Sequence, residues 1–178
     1  MLKIHKDYEP FEVAFSDLKQ YRGDRFTIKG IWVPKDKYDI KFLGKRYNLL
    51  FPNVYICSVF RNSHRVCSWA IATTNKIHSL NQLCKTFSFH NNYNMEGSYI
   101  CMPFSERLDD ETINDKARRY ALNYMSSSFT PPGYYPSYYN HHRNIRPRMH
   151  RSNFKDFDIS VKHKVTSRFN QSIKHFSY

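Results

Sequence analysis

The sequence predicts an α+β domain: an N-terminal helix, an antiparallel meander of about four strands, an exposed polar loop and a C-terminal helix, followed by an irregular basic tail. Three observations predict it. Apolar residues recur with a helical period near the start, β-branched and aromatic runs fill the middle, and a second helical stripe stops at Pro131-Pro132-Gly133. A chain of 178 residues is one domain of ordinary size with enough apolar content for a core. The reading is a folded domain over 1–130 and an aromatic and basic extension over 131–178, with no internal repeat.

In the stretch Glu9 to Tyr21, Phe11, Ala14, Phe15 and Leu18 stand at i, i+3, i+4 and i+7. Pro10 suits a first helical turn and Gly23 a stop, so an amphipathic helix is expected. From Phe26 the texture changes to runs that suit a pleated surface: Phe26 to Val33, Tyr38 to Phe42, Val54 to Phe60 and Val66 to Ala72. Arg61-Asn62-Ser63-His64-Arg65 reads as a hairpin loop between the last two. Leu80 to Cys84 fits a helical turn, and His90 to Gly97 is a polar, turn-rich loop.

The second helix carries Ile113, Ala117, Tyr120, Ala121 and Tyr124 at i, i+4, i+7, i+8 and i+11, with Asp109 or Asp110 as cap. Tyr120 and Tyr124 should therefore pack inward on the strands. Beyond Pro131, Tyr134-Tyr135-Pro136-Ser137-Tyr138-Tyr139 leads into Arg143, Arg146, Arg148 and Arg151 without a sustained period of 2 or 3.6, which predicts an irregular arm.

The net charge of +13 directs attention to an anionic partner. Over 131–178 there are 9 Lys/Arg against 2 Asp/Glu, so more than half of the excess lies in the last quarter of the chain. The four arginines of the arm would contact phosphates and its four tyrosines would stack on unpaired bases, of DNA or of RNA. A charge run is more often a solvated face, so the tail alone does not decide function. Removing 134–178 should leave the body folded. No stretch approaches the ~18 apolar residues of a membrane span, and a cytoplasmic protein is expected. Its four cysteines, Cys57, Cys67, Cys84 and Cys101, form no C-x-x-C pair, which argues against a zinc ribbon or a dithiol motif. No metal or cofactor is called for, and free thiols are expected.

Five landmarks occur in order: Ile31-Trp32-Val33-Pro34 with Phe42 behind it; Phe51-Pro52-Asn53-Val54-Tyr55-Ile56; Val66-Cys67-Ser68-Trp69-Ala70-Ile71; Asn92 through Gly97 to Cys101; and Ser128-Phe129-Thr130. In this order they resemble protein B of the bacterial PRTRC system over about residues 32–130. That resemblance implies a ubiquitin-conjugating-like fold and a thioester carrier or transferase of a prokaryotic or mobile-element system. The implied partners are a ubiquitin-like protein and an adenylating enzyme.

The fourth landmark is also similar to the histidine-proline-asparagine approach of ubiquitin-conjugating enzymes, with Asn91 where proline stands and three residues instead of two between Gly97 and Cys101. Residue by residue, the resemblance assigns Cys101 as acceptor thiol and Asn92 as the oxyanion or loop-ordering group. Thioester chemistry needs an exposed, partly ionised thiol beside such a donor. His90 reads as a loop residue, while a buried thiol and a loop-bonding asparagine are the structural alternatives for Cys101 and Asn92. A nucleic-acid-binding or structural protein of a nucleoprotein assembly, using the Tyr/Arg-rich tail, is the other functional reading.

Overall fold

Two tight turns organise the larger sheet of this computed structural model, which describes residues 11–42, 45–84, 86–88, 100, 111–129, 150–151 and 160–175. Arg22 and Gly23 both have positive φ, 50° and 84°. That is the geometry of a type I′ two-residue loop, whose twist matches the strands it joins. It connects β1 (Glu12–Tyr21) to β2 (Asp24–Val33), with Tyr21 opposite Asp24 and Glu12 opposite Trp32. Asn62 and Ser63, at φ 47° and 67°, turn β5 (Asn53–Arg61) into β6 (His64–Thr73), so the expected hairpin is present.

The segment read as an N-terminal helix is strand β1. The register shifts between Val13 and Phe15. Phe11 and Val13 accordingly pack into the core on one face of the sheet, while Ala14 and Phe15 pack on the other. A bulge in a two-sided strand thus imitates a helical stripe. Leu18, the last member of that apparent stripe, is 62% exposed.

The four predicted strands all exist, but they do not form one continuous meander. β3 (Lys37–Phe42) leaves the main sheet, pairing with β4 (Lys45–Leu50) on one side and, in parallel, with β8 (Ser128–Phe129) on the other. β2 consequently pairs directly with β5, from Val33↔Val54 to Phe26↔Arg61. The larger sheet is completed by β7 (Thr86–Ser88) and β9 (His150–Arg151), in the order β1-β2-β5-β6-β7-β9.

A helix covers each face. α1 (Ile113–Ser126) presents Ala117, Tyr120, Ala121 and Tyr124, all fully buried, to Ile31, Val33, Val54, Ile56 and Ala70. Its cap is Thr112, whose hydroxyl accepts from the Asp115 N–H; Asp109 and Asp110 lie outside the described residues. α2 (Val161–His175) corrects the reading of the tail as irregular throughout. Val161, Val165, Phe169 and Ile173 recur every four residues and pack on Phe26, Ile28, Tyr55, Cys57, Cys67 and Trp69. The segment beyond residue 131 therefore helps close the core. Among the described residues, no helix is long and apolar enough to cross a membrane.

Candidate anion-binding surface

Pairing of Phe26 with Arg61 sets the two I′-like turns side by side at one end of the sheet. A salt bridge joins them, Arg61 Nη2 to Asp24 Oδ2 at 3.1 Å. Arg22, Arg25, Arg61 and His64 are exposed there, and Arg65 is half-buried. The guanidinium of Arg22 lies 5.3 Å from the Tyr21 ring centroid, and that of Arg65 lies 4.4 Å from the ring of Tyr120. Arg65 Nη1 also donates to Ser68 Oγ at 3.4 Å, and Ser68 Oγ is 2.8 Å from Ser58 Oγ in the core. Lys116 Nζ donates to the Ser63 carbonyl at 3.4 Å, tying the first turns of α1 to the second hairpin.

The nearby acids are engaged. Asp24 is held by Arg61. The Asp115 carboxyl lies below the usual range because it accepts from the Thr112 hydroxyl and, secondarily, from Arg118 at 3.1 Å. Glu111, also lowered, is gripped by Arg119 through Nε and Nη2, the latter at 2.6 Å. Arg25 has no carboxylate partner among the described residues. On the other face, α2 carries Lys162, Lys164, Arg168 and Lys174 and no Asp or Glu, with its first turn tied to Leu80 and Gln82 rather than to the hairpin turns. A guanidinium presents a planar fork that suits phosphate oxygens.

The sequence-predicted residues are distributed differently. Cys101, Asn92 and His90 lie outside the described residues, as do Arg143, Arg146, Arg148, Tyr134, Tyr135, Tyr138 and Tyr139. Arg151 is in β9, opposite Phe87. The other three thiols are core groups. Burial pushes Cys67 up to about 11, against a hydrogen bond with Ser172 that lowers it. Burial raises Cys57 and Cys84 as well. No group of three or more His, Cys, Asp or Glu among the described residues could hold a metal ion.

Arg22, Arg25 and Arg61 were not singled out by sequence. The signal was present as Arg22-Gly23-Asp24 between two β-prone runs, but reading the preceding run as helix turned Gly23 into a helix stop. Against protein-family models, curated proteins and solved structures, the chain matches none.

Proposed function

We propose that the protein binds nucleic acid, chiefly through the phosphate backbone. The observation that carries this reading is the gathering of Arg22, Arg25 and Arg65 around the Arg61–Asp24 pair at two adjoining turns, which leaves an excess of positive charge there. The tail arginines Arg143, Arg146, Arg148 and Arg151 supply further cations on the same chain. Binding of this kind releases counterions, so log K falls linearly with log salt. Titration of the full chain into a labelled oligonucleotide should give a slope of about −3 or steeper, as expected for three or more phosphate contacts. Absence of binding at low salt, or a slope near zero, would end this reading.

A second reading concerns Cys101. We propose it as an acceptor thiol that attacks the acyl adenylate of a ubiquitin-like protein, forming a thioester as AMP leaves, with Asn92 stabilising the oxyanion. Two features favour it. The other three thiols are sequestered in the core. Ile100, the preceding residue, is buried and held by its N–H to the Ser68 carbonyl at 2.9 Å and by the Tyr120 hydroxyl, which donates to its carbonyl at 3.4 Å. The absence of an N-terminal helix over 11–21 and the departure of β3 from the main sheet are differences from the fold that the resemblance implies. With adenylating enzyme, ubiquitin-like protein and ATP, a reductant-sensitive adduct should form and be lost in Cys101→Ala. No adduct, with partners active on another acceptor, would leave only the binding function.

A further inference from the structure

We propose that the outer edge of β1 pairs with the same strand of a second copy of this chain, antiparallel about Leu18, joining the two larger sheets into one. This goes beyond nucleic-acid binding and does not depend on it. Among the described residues β1 is the end strand and pairs with β2 alone. Tyr21 and Asp24 close a two-residue turn and so exchange both of their hydrogen bonds. The alternation of an antiparallel ladder then turns the backbone groups of Lys19 and Asp17 toward β2 as well, and those of Ser16, Leu18 and Gln20 away from the sheet. All three outward residues are exposed, Leu18 at 62%. The Leu18 N–H, placed to meet the carbonyl of a neighbouring strand, donates instead to Oδ1 of Asp17 beside it at 3.0 Å. An exposed strand edge that carries an apolar side chain is a template for a further strand.

The residues of the edge select a second copy as the occupant. The bulge between Val13 and Phe15 and the turn at Arg22 delimit a regular segment from Phe15 to Tyr21, whose middle residue is Leu18. A two-fold axis there sets Leu18 opposite the partner's Leu18 and Ser16 opposite the partner's Gln20, each pair exchanging both of its N–H···O bonds. Asp17 then stands opposite the partner's Lys19 at a non-hydrogen-bonded position, where opposed residues come closest, ~4.5 Å between Cα atoms. Asp17 and Lys19 already pair within the strand, Nζ to Oδ2 at 3.0 Å, and their side chains are only 16% and 19% exposed. Two copies complete a square of alternating charge. Moving the axis to Asp17 would set two carboxylates face to face, and moving it to Lys19 would do the same with two ammonium groups, both unfavourable. A charge that commonly blunts a sheet edge thus excludes the wrong registers here and admits one. The antiparallel arrangement also puts the basic turns at Arg22 and Arg25 at opposite ends of the joined strands, so they do not meet.

The test is sedimentation of the full chain, freed of nucleic acid, across a concentration series. The wild-type chain should pass from monomer to dimer as concentration rises. Leu18→Lys changes a side chain turned to water, so its thermal melt should be unaltered, while dimerisation weakens by at least about tenfold because two ammonium groups then stand opposite one another. Asp17→Lys and Lys19→Asp report the register. Each alone opposes like charges and should sediment as a monomer, whereas an equimolar mixture of the two variants should form a heterodimer. The double exchange Asp17→Lys, Lys19→Asp restores both the pair within the strand and the pairs across the axis, and should dimerise like the wild type. Should a single exchange lower the melt, the double exchange carries the comparison. A wild-type chain that stays monomeric up to about 1 mM, the weak end of specific association, would overturn the proposal. A dimer retained by Leu18→Lys would place the contact elsewhere. A dimer lost in Leu18→Lys but indifferent to the charge exchanges, with no heterodimer preference in the mixture, would overturn the pairing about Leu18.

Discussion

The two faces of the larger sheet are closed by helices of similar length and opposite logic. α1 is stabilised by its own sequence: Thr112 caps it, Asp115 sits in its first turn and pairs with Arg118, and Arg119 grips Glu111 just ahead of it. Polar groups also enter its side of the core, where Ser58 meets Ser68 and Arg65 lies over Tyr120. α2 has no acid in its first turn, which instead holds Lys162 and Lys164, the unfavourable sign for a helix N-terminus. It holds by packing, with Val161, Val165, Phe169 and Ile173 each no more than 4% exposed. It is also tied to the chain near Leu80 by Val161 N–H to Gln82 O at 3.0 Å and Lys162 N–H to Leu80 O at 2.5 Å. One helix is written locally, and the other is imposed by the sheet.

The largest effect should come from removing α2. Truncation after residue 159 would uncover Val59, Trp69 and Cys67, so the shortened chain should lose its cooperative melt and expose apolar surface to a hydrophobic dye. Phe169→Ala is the graded version. Its ring is 1% exposed and meets Phe26 edge-on at 5.4 Å, so a loss of about 3 to 5 kcal/mol is expected in denaturant titration. A truncated chain as stable as the whole would show that the α1 side alone makes the core.

Tyr120→Ala probes the opposite face and should cost about 3 kcal/mol, because the fully buried side chain supports both the Ile100 carbonyl and the Arg65 guanidinium. Tyr120→Phe removes only the hydroxyl and should cost about 1 kcal/mol. If local stabilisation of α1 is the real difference between the faces, helicity of the Tyr120→Ala chain should persist into higher denaturant than that of Phe169→Ala. The reverse order would break the contrast.

The same contrast explains what could be read in advance. The α1 stripe, its inward tyrosines, the four β-prone runs and the hairpin at Asn62-Ser63 were legible because local pattern and tertiary role agree there. β1 failed because a bulge places Ala14 and Phe15 next to each other on one face, and four apolar residues at helical spacing, Phe11, Ala14, Phe15 and Leu18, outweigh the Arg22-Gly23 turn. β3 was found as a strand but assigned to the wrong sheet, since nothing in Tyr38–Phe42 specifies that its partners are β4 and β8. α2 carries an i+4 stripe that can be read directly, but basic and proline-rich sequence before it drew the whole segment into one irregular class. The hairpin-end arginines are not legible in the distribution of charge along the chain, because strand pairing gathers Arg22, Arg25 and Arg61 from two separate turns.

Gly30 tests packing on the α2 side at a single point. A Cβ at Gly30 would overlap the edge of the Phe15 ring, at Cζ, Cε1 and Cε2. Gly30 stands opposite Phe15 in the β1–β2 pair, so the ring lies across the space where a side chain would be. Gly30→Ala should cost about 1 to 3 kcal/mol through overpacking. Phe15→Leu in the same chain should return part of that loss, and a double-mutant cycle reads the coupling. Additive losses would mean that the strand backbone gives way, leaving the ring in place.

An effect of similarly small size lies in the alkaline limb of stability and belongs to the α2 side, where Cys57, Cys67 and Cys84 are all buried. Burial keeps the Cys67 thiol neutral up to about 11, against 9.0 for an unburied one. A raised folded-state value means that the unfolded chain releases its proton first. The stabilisation is therefore complete below pH 9 and is lost as pH rises toward 11. Cys67 alone should account for a loss on the order of 1 kcal/mol by pH 10. Denaturant titrations between pH 8 and pH 10 should show this decline, with a shallower slope in Cys67→Ala even though that variant starts from a lower stability. An identical slope in the two chains would assign the alkaline loss to other groups.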